Sequence, residues 1–216
     1  MAMDKFKDHK IMTIDEEKRN RIINAAITEF AKGYRLASTD VIVKEAGISK
    51  GLLFHYFGTK KDLFLFIHDY AMRLVCDEFF SLINLKQRDL LERWRQQVFL
   101  KIDLCRRYPA IFEFLTAANL GDTQEAVPDI REYNNSLLEQ MMPKVFGDID
   151  TSLFREDLPP DKVYEMLMVF IQGYNATALQ KHNTFEEFRN EFDIAIAEID
   201  DYIAILKKCF YKQGGY

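Results

Sequence analysis

Apolar residues recur along nearly the whole chain at steps of three and four, and the two-residue alternation of a half-buried strand never persists. Ile22, Ile23, Ala26, Ile27 and Phe30 form one face of a first helix. Thr13-Ile14-Asp15-Glu16 opens it as a capping box, and Gly33 closes it after about Lys32. A second, short helix starts at Ser38-Thr39-Asp40, whose side chains can cap free N–H groups, and ends at Gly47. Ser49 caps a third, Lys50 to about Phe57, and Thr59 caps a long helix from Lys60 to about Ile83. Further helices are predicted over 88–108, 109–119, 125–146, 161–181 and 185–211. Pro109, Gly121, Gly147 and Pro159-Pro160 punctuate them, because a proline's missing N–H suits a helix end better than an interior. Pro128 and Pro143 leave the bounds of their helix open. The pattern therefore predicts an all-α fold: a polar, frayed tail over 1–12, a three-helix domain over 13–59 and a helical body over 60–216.

Two short helices separated by Gly47-Ile48 have the spacing of a helix-turn-helix. In the second of them Leu53 and Phe57 are four residues apart and share an inward face. Ser49, Lys50, Gly51, Leu52, His55 and Tyr56 remain for the outside. Ser49 and its N–H suit a phosphate at a helix N-terminus, Lys50 a phosphate or guanine O6/N7, and Leu52 a thymine methyl group. Gly51 weakens a helix by about 1 kcal/mol relative to Ala, a cost that close approach of bare backbone to DNA would justify. His55 and Tyr56 can reach phosphate oxygens, as can Thr39 from the second helix and Lys60 from the fourth. Spacing alone is served equally well by three small helices with a solvated polar face.

Charge changes that balance. The chain has a net charge of −5, yet residues 1–61 hold twelve Lys and Arg against eight acids, a net +4, on a body of −9. A basic first quarter on an acidic remainder suits a protein in which one domain alone meets phosphates. Three widely spaced cysteines (Cys76, Cys105, Cys209) form no metal or disulfide framework and fit a reducing cytoplasm. The first 25 residues lack the apolar core of a signal peptide, and no apolar run approaches a membrane span. No nucleophile–base pair, metal cluster, phosphate loop or cofactor motif argues for an enzyme or carrier, and Glu156 and Asp157 read as solvated loop charges.

Arg21 to Ala26, Phe30, Gly33, Thr39, the run Ala46 to Phe57, Lys60 and Asp62-Leu63 together resemble the N-terminal signature of TetR/AcrR-type repressors, without a gap over residues 19–63. The remainder is similar in helix count and length only. The resemblance implies an all-α homodimer that binds a palindromic double-stranded operator, takes up a small-molecule inducer and pairs through its last two long helices. It carries DNA contact onto Thr39, Ser49, Lys50, Gly51, Leu52, His55, Tyr56 and Lys60. Leu52 departs from the Thr or other polar residue common in relatives, and Val43 from Ala. An architectural DNA binder of the same fold without an inducer is the alternative.

The C-terminal pattern supports pairing independently. Phe185, Phe188, Phe192, Ala195, Ile199, Tyr202, Ile203, Leu206 and Phe210 repeat over more than six turns, and Gly173, Ala176 and Thr177 make a small-residue patch where a helix could approach. For a lipophilic ligand, Trp94, Val98, Ile102 and Cys105 share one helix face with Leu91. Phe66, Tyr70, Phe112, Tyr133, Leu137, Met141, Phe170 and Tyr174 could oppose them, with Glu113, Asn134 and Asn175 as polar anchors. The same residues would equally make an ordinary core.

Overall fold

The computed structural model describes residues 9–120, 127–180 and 185–212. Ten α-helices occur among them: α1 (Glu16–Phe30), α2 (Thr39–Ala46), α3 (Lys50–Phe57), α4 (Lys60–Leu82), α5 (Leu90–Arg107), α6 (Pro109–Leu120), α7 (Val127–Phe146), α8 (Pro160–Gln180), α9 (Phe185–Asn190) and α10 (Phe192–Phe210). Extended pairing among the described residues is limited to an isolated antiparallel bridge, Phe154 with Tyr211. Residues 1–8 of the expected tail, Gly121, and the expected helix ends at 125–126 and 181 lie outside the described residues.

The chain forms two compact units, residues 1–78 with 108–136, and residues 79–107 with 137–216. This division differs from a boundary at residue 59, and the reason is the floor of the N-terminal helices. Ile22, Ile23, Ala26 and Phe30 of α1, Ile42 and Ala46 of α2, and Leu53 and Phe57 of α3 share one core with Leu63, Phe64 and Ile67 of α4 and Phe114 of α6. Phe30, Phe64 and Phe114 meet with ring centroids 5.0–6.4 Å apart. Three short helices bury too little surface alone, so they borrow that of their neighbours.

Several local expectations are corrected. Residues 9–12 are not frayed: Lys10–Thr13 is a 3-10 turn, Ile11 is fully buried, and His9 stacks on Phe57 and lies tilted against Phe66. The cap of α1 is Asp15, accepting from the Lys18 N–H, while the Thr13 hydroxyl donates to the Lys10 carbonyl. α1 stops at Phe30, and Gly33 follows in a left-handed conformation, φ 101°. Ser38 makes no side-chain cap; its backbone N–H instead donates to the buried Glu29 carboxylate at 3.0 Å. Thr59 and Asp62 do form a reciprocal cap at the start of α4. The expected helix over 185–211 breaks at Glu191, whose N–H folds back to the Phe188 carbonyl at 3.2 Å.

The second unit is tied by charge and by rings. Arg93, 1 % exposed, donates to the backbone carbonyls of Leu85, Gln87 and Val145. Asp89 caps α5 through the Leu91 and Glu92 N–H groups and accepts from the Tyr211 hydroxyl at 2.8 Å. Lys207 joins Asp89 and Glu92, and Arg95 grips Asp200, so α10 is fastened to α5. Trp94 meets Phe170 and Tyr174 edge-on, and Tyr202 packs on both of those rings.

Among the described residues no helix is long and apolar enough to cross a membrane, and no three His, Cys, Asp or Glu side chains gather as a metal site. Cys76, Cys105 and Cys209 are not joined in disulfides. Burial raises the first two, to about 11 for Cys76 and about 12 for Cys105, so neither is a ready thiolate.

Candidate nucleic-acid interface

The turn between α2 and α3 is built on Gly47, which adopts φ 65°, ψ 40°, a conformation costly to residues with a Cβ. Its N–H and that of Ile48 fold back to the Lys44 and Val43 carbonyls, closing α2. Ser49 then starts α3 at once: its hydroxyl oxygen accepts from the Leu52 N–H at 3.2 Å, and its carbonyl from the Leu53 N–H at 3.1 Å. Leu53 and Phe57 are buried, and they fix the opposite side of α3 outward.

On that outer side Ser49, Lys50, Gly51 and His55 are exposed, while Thr39, Leu52 and Tyr56 are half-buried. The N–H groups of Lys50 and Gly51 lie in a first turn that has no intrahelical acceptors. A Cβ built on Gly51 would meet nothing within 4 Å, so nothing inside the chain requires glycine there. The Tyr56 ring packs against Phe57 and the edge of the core, and meets His55 edge-on at 5.7 Å.

Two cations are differently placed from what the pattern predicts. Lys60 is anchored: its ammonium donates to the Ala37 carbonyl at 2.6 Å and lies over the Tyr34 ring. Lys50 is exposed but paired with Asp40, a residue the pattern offers only as a helix cap. The signal that finds the pair is the motif itself, since a short turn brings the first turn of α2 beside the start of α3.

The expected ligand residues fall in both units. Phe66, Tyr70, Phe112, Glu113, Tyr133 and Asn134 belong to the first, and Trp94, Val98, Ile102, Cys105, Leu137, Met141, Phe170, Tyr174 and Asn175 to the second. Glu113 is exposed and is no interior anchor. In the first unit the Tyr133 hydroxyl donates to Asp69, which also takes Arg73; burial and then the Asp69 carboxylate raise the Tyr133 phenol. Beside it His68 is 2 % exposed, its Nε2 has no hydrogen-bond partner, and burial lowers its pKa to about 4. In the second unit the Trp94 indole N–H and the Gln97 Oε1 are likewise buried without partners. The pattern misses His68 and Gln97, because a helix period marks apolar rather than polar interior positions.

The residues of the expected pairing face are differently placed within the chain. Phe192 and Ile199 are buried within the chain, and Tyr202 packs on Phe170 and Tyr174, so these three serve its own core. Gly173 and Ala176 are exposed on α8; Phe188, Ala195 and Leu206 are half-buried. On these two helices the large apolar side chains left open are Met166 and Val169 of α8 and Ile194 and Ile205 of α10.

Residues 22–67 match the family model described as bacterial regulatory proteins, tetR family. The chain is 24% identical over 178 residues to the biofilm operon icaADBC HTH-type negative transcriptional regulator IcaR of Staphylococcus epidermidis, covering 81% of this chain and 92% of that protein. Among solved structures it is similar to a transcriptional regulator from Cytophaga hutchinsonii, with TM-score 0.61, 20% identity and coverage of 91% of this chain and 100% of that one. A TetR family regulator from Chloroflexus aurantiacus gives TM-score 0.56 at 22% identity, with coverage of 94% and 97%. At such identities the structural likeness speaks for the fold.

Proposed function

We propose that the chain is a cytoplasmic repressor of the TetR family, the family whose model matches residues 22–67. Two copies bind a palindromic operator, each laying α3 in a major groove, and a small lipophilic inducer releases them. The observation that carries DNA contact is the outer side of α3: small, polar and glycine-bearing over a buried Leu53–Phe57 face. Ser49, Lys50 and Gly51 meet phosphate and base edges with the N-terminus of α3, Leu52 and Thr39 flank them, and His55 and Tyr56 meet the backbone. Negative regulation is supported by the staphylococcal relative, which is named a negative regulator.

The partner copy covers the open apolar row of α8 and α10. Binding of two copies to a palindrome requires their α3 helices about 34–36 Å apart, one DNA turn. For the inducer, the unpartnered Trp94 N–H and Gln97 Oε1 support a ligand with one acceptor and one donor on an apolar frame. The helix α4 runs from the first unit into the second, and a ligand that favours one setting of it would shift the population that fits DNA.

A randomised duplex pool tests the reading. The full chain should enrich a palindrome, bind it two copies per duplex in filter binding, and lose at least tenfold in affinity as Lys50→Ala, since a good base contact contributes about 1–3 kcal/mol. Failure to enrich any sequence, or equal binding by Lys50→Ala, counts against it.

A further inference from the structure

Lys50 is the only lysine or arginine in α3. Its ammonium is held across the turn by Asp40, 2.8 Å from one carboxylate oxygen and 3.0 Å from the other. Both side chains are more than half exposed, so the pair adds little to the fold. Its consequence lies at the surface that Lys50 shares with Ser49, Gly51 and His55.

A loose lysine follows any phosphate, and that contact gives affinity without sequence and a steep dependence on salt. Here the ammonium already has an anionic partner, and a phosphate brought to it would stand beside the Asp40 carboxylate as a like charge. A base edge is different. Guanine O6 and N7 are neutral acceptors, and an ammonium has three donors, so Lys50 can reach a guanine edge without abandoning Asp40. Lys60, the other cation expected on this surface, already donates to the Ala37 carbonyl.

We infer that Asp40 is a specificity-determining residue: it withholds Lys50 from phosphates and directs it to a neutral base edge. Asp40 thus lowers the affinity for arbitrary duplex more than the affinity for the operator. This rests on reading α2 and α3 as the DNA surface.

The test uses the full chain, a duplex it has itself selected from a random pool, and a scrambled duplex of the same composition, in filter binding over a range of KCl concentrations. Asp40→Asn keeps the shape and removes the charge. Affinity for the scrambled duplex should rise about tenfold, roughly threefold for each protomer. The slope of log K on log salt should steepen by about two for the dimer, near 0.9 for each phosphate newly met. Operator affinity should rise less, so discrimination falls. In a Lys50→Ala background the same change should leave the salt slope as it was. If Asp40→Asn does not fold, Asp40→Ser gives the same comparison. The inference is overturned if slope and discrimination match the parent, or if the slope steepens equally without Lys50. A parent that selects no duplex overturns the DNA reading itself, a distinct failure.

Discussion

Glu29 ends the last turn of α1 at 4 % exposure, an acid where burial alone would favour the neutral form. Burial raises its pKa, but hydrogen bonds from the Lys32 ammonium and the Ser38 N–H, with the charges of Lys32 and Lys60, outweigh that and hold it low. Together with Lys60 on the Ala37 carbonyl, it pins the loop that leads into α2. A folded pKa below the unfolded value makes the stabilisation present above about pH 4.5 and lost as pH falls through the folded value. Glu29→Gln should therefore destabilise the first unit by about 1–3 kcal/mol at neutral pH. Denaturant titrations from about pH 3 to pH 6 should show the parent losing that advantage in acid while the variant stays level. A constant gap across that range would mean that charge is not what Glu29 contributes. Neither Glu29 nor Arg93 is legible in the pattern. Their partners are largely backbone groups brought close by the fold, and a charged residue in a helix reads as solvated until those partners are known.

At the scale of elements, α3 sets stability against use. Gly51 weakens the helix, yet its missing Cβ would touch nothing. Gly51→Ala should raise stability by up to about 1 kcal/mol in thermal melts and weaken operator binding in filter assays by tenfold or more. A variant that is more stable and binds as well would show that the glycine is not kept for DNA. The helices themselves were readable, because the faces of α1, α2 and α3 that recur at three and four are the faces that are buried. The break at Glu191 was not readable. Phe185, Phe188, Phe192, Ala195 and Ile199 keep one unbroken period across it, so the apolar pattern carries no mark of the turn. The order of residues 9–12 was equally silent, for so short a segment, anchored chiefly by Ile11 and His9, has no period.

For the whole molecule, the question is which helix faces are spent inside one copy. Phe192, Ile199 and Tyr202 repeat like an interface but face inward, since α10 must first pack on its own neighbours. Periodicity finds a buried stripe and cannot say whether the same chain or another buries it. The most open large apolar side chains of α8 and α10 are Val169 at 66% exposure and Ile194 at 67%. Val169→Glu and Ile194→Glu should leave each copy folded, because exposed positions tolerate change. Sedimentation at micromolar concentration should show these variants as monomers, with operator binding lost along with the second half-site contact. Dimers that persist in both would place the pairing face elsewhere. The candidate ligand residues were legible as a set of rings, but their polar company, His68 and Gln97, emerged only from the packing.

Trp94 is the chain's single tryptophan, fully buried in the second unit against Phe170 and Tyr174. Its emission therefore originates in one half of the molecule. The helices of the DNA-binding motif carry no indole and stay dark at the same wavelengths. Followed through a urea titration, that light reports the opening of the second unit alone, whereas far-ultraviolet dichroism sums every helix. The gap between the two curves measures how far the units melt as one. The same indole offers its N–H without a partner, so a compound that docks on it would announce itself by a spectral shift in unlabelled protein.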